Sequence, residues 1–236
     1  MTKLARRSPT WPTPAVQASP QSNNPSSAVG LDRLIVALDN ALKSLTIGAP
    51  HSGRPSPSAD LPDASLTDSE RRHAAGLMRV NHAGEIAAQG LYQGQAFVAR
   101  EAELRSLLLN AAREEADHLQ WTQGRLDELG ARSSVFNPLW YAGAFALGLA
   151  AGCLGRKKSL AFLVETERQV EAHLTGHLTR LPQADTASRA ILEKMSSDEK
   201  EHGESAARAG AESLPEWVQA AMKRSAKVMT QTAYFL

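Results

Sequence analysis

The chain has 236 residues with 26 basic and 25 acidic side chains, and 42% of it is apolar. That is enough apolar material for one globular core, and the near-even charge balance leaves no electrostatic footprint for DNA or RNA, so no nucleic-acid partner is expected. The single cysteine, Cys153, excludes an internal disulfide and a thiolate metal cluster; within its apolar run it reads as a buried or membrane-facing filler.

Residues 1–29 are rich in Pro, Ser and Asn and hold no acidic residue, so they read as a disordered segment. Arg6 and Arg7 in an acid-free start hint at a transit peptide, but five prolines before residue 26 argue against a presequence helix. Residues 30–48 form an expected amphipathic helix on Leu31, Leu34, Ile35, Leu38, Leu42 and Leu45, packing on the body or on a membrane. A Pro/Ser-rich linker occupies 49–66, and one all-α domain fills 67–236.

Within that domain the periodicity predicts helices over 67–98, 101–129, 157–180 and 185–209, with Gly130 and Gly210 as stops. Glycines 76, 84, 90 and 94 interrupt the first helix, each at a cost of about 1 kcal/mol against alanine. Close helix packing, or access to a pocket beside Glu85, is the expected compensation. Between the second and third helices, residues 138–154 carry no charge, at the lower limit of length for a membrane span. Two readings arise: a crossover buried in the bundle core, or a monotopic anchor in one leaflet. Trp140 and Tyr141 at one end, with Arg156, Lys157 and Lys158 at the other, favour the anchor. A C-terminal amphipathic helix from Pro215 sets Trp217, Val218, Met222 and Val228 against Lys223, Arg224 and Lys227, and would lie on the same surface.

Two Glu-x-x-His tetrads, Glu115 to His118 and Glu199 to His202, each follow another glutamate by about thirty residues. Residues three apart share a helix face, so each tetrad aims a carboxylate and an imidazole at one point. A third tetrad, Glu70 to His73, shows how chance looks: Thr67 and Glu70 fit a capping box, and His73 lies about 120° around the helix from Glu85. The other two lie on apolar stripes, where an unpaired charge is costly. Four buried acids and two histidines cannot neutralise one another, whereas two divalent cations can.

The first hairpin supplies Glu85, Glu115 and His118. In the second, Glu165, Glu167 and Glu171 compete for the remaining place beside Glu199 and His202. Leu160, Leu163, Val164, Glu167, Val170 and Leu174 follow the core spacing, which favours Glu167; Glu165 points to a solvated face and Glu171 stays open, one turn away. Glu, Glu-x-x-His, Glu, Glu-x-x-His on four helices is the pattern of ferritin-like di-iron bundles. Carboxylate and imidazole ligands without cysteine suit iron or manganese, while structural zinc prefers sulfur and nitrogen. Two ferrous ions can each give an electron to dioxygen, so reductive oxygen activation is the expected chemistry.

Gly76 to Glu85 (GLMRVNHAGE), Leu91 to Gln95, Glu114 to Leu119, Asn137 to Tyr141 and Asp198 to His202 together closely resemble the demethoxyubiquinone hydroxylases of ubiquinone biosynthesis, over about residues 67–236. Thr166 to Val170, with His173 and His177, resembles the bacterial branch. The resemblance implies a ferritin-like four-helix bundle with an apolar crossover helix. It also implies six iron ligands on Glu85, Glu115, His118, Glu167, Glu199 and His202. The implied substrate is a 2-polyprenyl-3-methyl-6-methoxy-1,4-benzoquinol, hydroxylated on the ring with O2 as co-substrate, two Fe ions and an external reductant, NADH being one candidate. An insoluble polyprenyl tail implies a peripheral protein held by 138–154 on the cytoplasmic side of a cell membrane; the mitochondrial inner membrane, matrix side, is the alternative. Other ubiquinone-biosynthesis proteins or further copies of the chain are conceivable partners.

Other ferritin-like functions fit less well. Iron storage would lack the apolar insertion, a quinol oxidase would want stronger membrane hairpins, and a tRNA hydroxylase would want a basic face. A metal-free structural bundle would bury four unpaired acids.

Overall fold

In the computed structural model, residues 25–46, 48–62 and 65–236 are described, with side chains from residue 31 onward. Residues 1–24, most of the segment expected to be disordered, lie outside that range. Helix α1 (Pro25–Leu45) takes in residues 25–29, so it begins five residues earlier than the periodicity suggests. The remaining helices are α2 (Asp68–Val98), α3 (Ala102–Glu128), α4 (Asn137–Cys153), α5 (Arg156–Arg180), α6 (Thr186–Arg208) and α7 (Glu216–Phe235). There is no strand among the described residues.

Local chemistry sets the helix ends. Thr67 caps α2: the Glu70 amide donates to Thr67 Oγ1 at 3.3 Å, and the Thr67 amide donates to Glu70 Oε2 at 2.9 Å. His73 turns away from the core to Tyr234 Oη and the Arg180 carbonyl, at 2.6 and 3.1 Å. The Glu70 tetrad is therefore structural, as its capping pattern suggests. Helices α3 and α6 stop before Gly130 (φ 69°) and Gly210 (φ 100°), a left-handed conformation that only glycine adopts cheaply.

Helices α2, α3, α5 and α6 form a bundle whose apolar core falls into two clusters. Leu77, Met78, Trp121, Leu126, Leu174, Ile191 and Leu192 fill one end. Leu91, Tyr92, Leu108, Leu160, Leu163 and Ala206 fill the other. The Glu115 and Glu199 tetrads and their companions Glu85 and Glu167 fall, in chain position, between these two groups. The fold thus places a polar layer midway along a dry bundle.

Helix α4 lies along α2 with its backbone very close. A Cβ at Gly90 would sit 2.5 Å from the Tyr141 carbonyl oxygen, and Gly94 and Gly148 meet carbonyls of Phe145 and Leu91 at still closer range. Gly76 makes room for the Tyr234 ring of α7. Three of the four α2 glycines therefore serve close packing. Gly84, the neighbour of Glu85, has open space where a side chain would lie. Ser44 of α1, Gln93 of α2 and Tyr141 of α4 join in a hydrogen-bond chain of 3.1 and 2.6 Å.

The apolar run is neither wholly core nor wholly uncovered. Tyr141, Gly148 and Ala151 of α4 are buried against the bundle, while Leu139, Leu147 and Leu154 are exposed. Cys153 is exposed rather than buried, because it ends the outer face of α4. On α1, Leu31, Leu34, Ile35, Leu38 and Leu42 are uncovered as well, and Ala41 and Leu45 face inward. Trp217 and Val228 of α7 are also exposed, whereas Ala233 is buried against α2. Among the described residues, no helix is long and apolar enough to cross a membrane.

Candidate metal centre

Glu85 of α2, Glu115 and His118 of α3, Glu167 of α5, and Glu199 and His202 of α6 meet in the middle of the bundle. Their ligand atoms fall into two overlapping groups: Glu85, Glu115, His118 and Glu199, then Glu115, Glu167, Glu199 and His202, with the atoms of each group within 4.8 Å of one another. Glu115 and Glu199 belong to both groups, the arrangement of carboxylates shared between two neighbouring ions. All six residues are buried except His202, which is 10% exposed.

His118 presents Nδ1 to this centre, 3.0 Å from Glu115, 3.2 Å from Glu199 and 3.8 Å from Glu85. His202 Nδ1 lies 3.3 Å from Glu115 and 3.5 Å from Glu199. Yet Glu115 Oε1, both Glu199 oxygens and His202 Nδ1 are buried without a hydrogen bond. They crowd within 3.2–3.5 Å of an opposing carboxylate or imidazole without making a hydrogen bond. Leaving four such atoms unsatisfied would cost roughly 1–3 kcal/mol each, so the fold carries a strong demand for cations here.

Electrostatics points the same way. Burial pushes the Glu85 and Glu167 carboxyls well above the usual range, reinforced by the charges of Glu115 and Glu199. Burial works against charge on Glu115 and Glu199 too, but the imidazoles of His118 and His202 close beside them hold both below the usual range. Desolvation opposes the imidazolium forms, yet the neighbouring carboxylates of Glu115 and Glu199 push His202 up to about 12, and those of Asp198, Glu115 and Glu199 raise His118. Left to themselves, these side chains balance charge with protons in the places where cations would serve. An oxygen-rich set with two imidazoles and no sulfur fits iron or manganese.

The far nitrogens of both imidazoles are held by carboxylates. His118 Nε2 bonds Asp198 Oδ2 at 3.1 Å, and His202 Nε2 bonds Glu114 Oε2 at 2.7 Å. Such partners fix which ring nitrogen faces a metal and raise its basicity. Tyr92, about two turns along the same face of α2 from Glu85, donates its hydroxyl to Glu167 Oε1. Burial and the Glu167 charge raise the Tyr92 hydroxyl, keeping it a donor.

Of the three glutamates weighed on α5, only Glu167 enters the centre. Glu165 does not lie on a solvated face: it is 6% exposed, because its carboxylate folds onto Arg168 at 2.7 Å and Gln169 at 2.6 Å, and Gln169 is tied to the Gln219 carbonyl of α7. Glu171 is half-buried and joins neither group.

Sequence reasoning did not single out Glu114, Asp198 or Tyr92 as parts of the site. The first two carry a faint signal, since each directly precedes a glutamate of a tetrad. Arg54, which braces Asp198 from outside and is itself held by Asp117, carries none.

Comparison with known proteins places this geometry in context. The family model described as "Ubiquinone biosynthesis protein COQ7" matches residues 72–233. The chain is 56% identical over 207 residues to a 3-demethoxyubiquinol 3-hydroxylase of Burkholderia cenocepacia, covering 87% of this chain and 99% of that one. Proteins of the same name from Janthinobacterium sp. and Chromobacterium violaceum are 56% identical over 205 and 204 residues, each covered to 98%.

Proposed function

The chain belongs to the COQ7 family of ubiquinone biosynthesis proteins, and on that premise we propose that it is a 3-demethoxyubiquinol 3-hydroxylase working through two irons held by Glu85, Glu115, His118, Glu167, Glu199 and His202. The observation that carries the metal reading is the sharing of Glu115 and Glu199 by two otherwise separate ligand groups. When bound, two ferrous ions supply electrons for the activation of dioxygen, one oxygen entering the quinol ring and the other leaving as water, with an external reductant such as NADH completing the electron count.

The protein's own part is positioning and exclusion of water. Glu115 and Glu199 would be shared by the two ions, and Asp198 and Glu114 keep each imidazole aimed inward. The two apolar clusters above and below the centre keep solvent away from a reactive oxidant. Tyr92 fixes the rotamer of Glu167.

The substrate carries a polyprenyl tail, which resides in lipid. The outer face of α4, with Leu139, Leu147 and Leu154, and the uncovered leucines of α1 support attachment to one leaflet of a membrane, from which the ring could reach the bundle. The bacterial relatives favour the cytoplasmic side of a cell membrane over the mitochondrial alternative.

Deleting the gene and extracting the quinones tests the reaction. Cells without the protein should accumulate 3-demethoxyubiquinol, and the intact chain should restore ubiquinone while the Glu115→Ala chain should not. Normal ubiquinone in a deletion strain with no second hydroxylase would reject it. Metal analysis of protein purified from those cells should find about two irons per chain.

A further inference from the structure

The segment between α1 and α2 reads in the sequence as a linker, and the part around residue 54 lies outside the stretch matched by the family model. In the structure it grips the metal centre from behind. The amides of Ser52 and Gly53 both donate to Asp117 Oδ1, at 3.0 and 3.1 Å, and Ser52 Oγ donates to Asp117 Oδ2. Gly53 takes φ 84° there, a left-handed turn that lets two successive amides face one carboxylate. Arg54 then spans two helices: Nε donates to Asp117 of α3 at 2.8 Å and Nη1 to Asp198 of α6 at 2.7 Å. Its guanidinium lies 5.0 Å from the Trp121 ring centre, and Trp121 Nε1 donates back to the Arg54 carbonyl at 3.2 Å. Pro55 and Pro57 limit the chain's freedom just beyond, lowering the entropy cost of holding this strap.

The oxygen of Asp198 that Arg54 holds is also the one that bonds His118 Nε2. A continuous relay therefore runs from the strap through Asp198 to one metal-facing imidazole. The second imidazole is held less directly, since Arg54 reaches only the backbone carbonyl of Glu114, at 3.5 Å. His202 rests on Glu114, which is 45% exposed and makes no other side-chain hydrogen bond among the described residues. Two halves that look alike in sequence spacing are thus supported unequally.

We propose that Arg54 is a positioning residue for His118, acting through Asp198, and that it makes the metal position of Glu85 and His118 bind its ion more tightly than the position of Glu167 and His202. This rests on the two-metal reading above, but it concerns metal binding rather than hydroxylation, so the two can fail separately. A guanidinium suits the task because its rigid planar fork aims separate N–H groups at two carboxylates in fixed directions, which the compact, freely rotating ammonium does not.

The test is titration of the full-length, metal-stripped chain with Co(II), followed by visible absorption and by competition with a chelator. Wild-type protein should fill in two unequal steps. Arg54→Ala should weaken the tighter step by 10- to 100-fold and leave the weaker one unchanged, whereas Glu114→Gln should weaken only the weaker step. Should Arg54→Ala fail to fold, Arg54→Lys keeps the charge near Trp121 without spanning Asp117 and Asp198, and the same selective loss is expected. Two equal steps in the wild type would overturn the proposal, as would equal weakening of both steps by the Arg54 variant or no weakening at all. Absence of any Co(II) binding would overturn the two-metal reading along with it.

Discussion

Glu114 of the first hairpin accepts a hydrogen bond from His202 of the second across 2.7 Å. The reverse also holds: Asp198, directly ahead of Glu199, bonds His118 at 3.1 Å. In each hairpin the residue ahead of the shared glutamate steadies the histidine of the other. Neither half can orient its ligands alone, which makes the centre a product of the docked bundle.

Removing a ligand, whether the shared Glu115 or the unshared His202, should therefore cost bound metal without unfolding the protein. Glu115→Ala and His202→Ala are expected to lose bound iron and to cut hydroxylation by at least about 100-fold, with circular dichroism retaining most helix. The two apolar clusters that hold the bundle do not include these residues. Full activity with stoichiometric zinc would count against the iron reading.

Glu167 and Glu165 separate function from structure on one helix. Glu167→Gln should lose metal, yet the metal-stripped variant should melt no lower than metal-stripped wild type. The sign follows from the Glu167 carboxyl, whose folded pKa is raised by burial and by Glu199 and Glu115. At neutral pH, above its unfolded value, such a group weakens the fold, and a neutral amide removes that burden. Glu165→Gln should keep its metal and lose about 1 kcal/mol or less, because Arg168, its partner, is 59% exposed. Metal loss in Glu165→Gln with retention in Glu167→Gln would show the assignment on α5 to be wrong.

Metal uptake should release protons. Glu85, Glu167, His118 and His202 all hold protons more tightly than usual, and each must give its proton up to serve as a ligand. Apparent affinity should thus fall as pH falls, by about tenfold per pH unit for each proton displaced. Chelator competition at pH 6, 7 and 8, with an indicator dye following proton release, measures this. Affinity independent of pH would contradict it.

The outer face of α4 gives a membrane test that leaves the bundle intact. Leu147 is 51% exposed, so Leu147→Glu should fold normally while binding vesicles more weakly, since a charge in the lipid region costs on the order of 2–3 kcal/mol. Gly94→Ala, on the α2 face that meets Phe145, should instead destabilise the fold by roughly 1–3 kcal/mol, because α4 would have to move away. Unchanged flotation of Leu147→Glu with anionic liposomes would exclude this face as the attachment surface.

The helix spans, the two stops at Gly130 and Gly210 and the six residues of the centre were legible in the sequence, because each depends on short-range geometry. Periodicity of 3.6 fixes which side chains share a face, and a capping box or a left-handed glycine fixes where a helix ends. The same rule misplaced Glu165, since its exposure depends on how α7 and Gln169 close over α5. Local pattern also could not tell that residues 51–54 are a strap rather than a linker. Their partners, Asp117 and Asp198, lie 64 and 144 residues further along the chain at the two contacts concerned. The sequence alone determined which carboxylates and imidazoles would share the inward faces of the four bundle helices. Only the tertiary structure decided which acid steadies which histidine and which half is braced more firmly, because those contacts join helices whose separation along the chain carries no periodic signal.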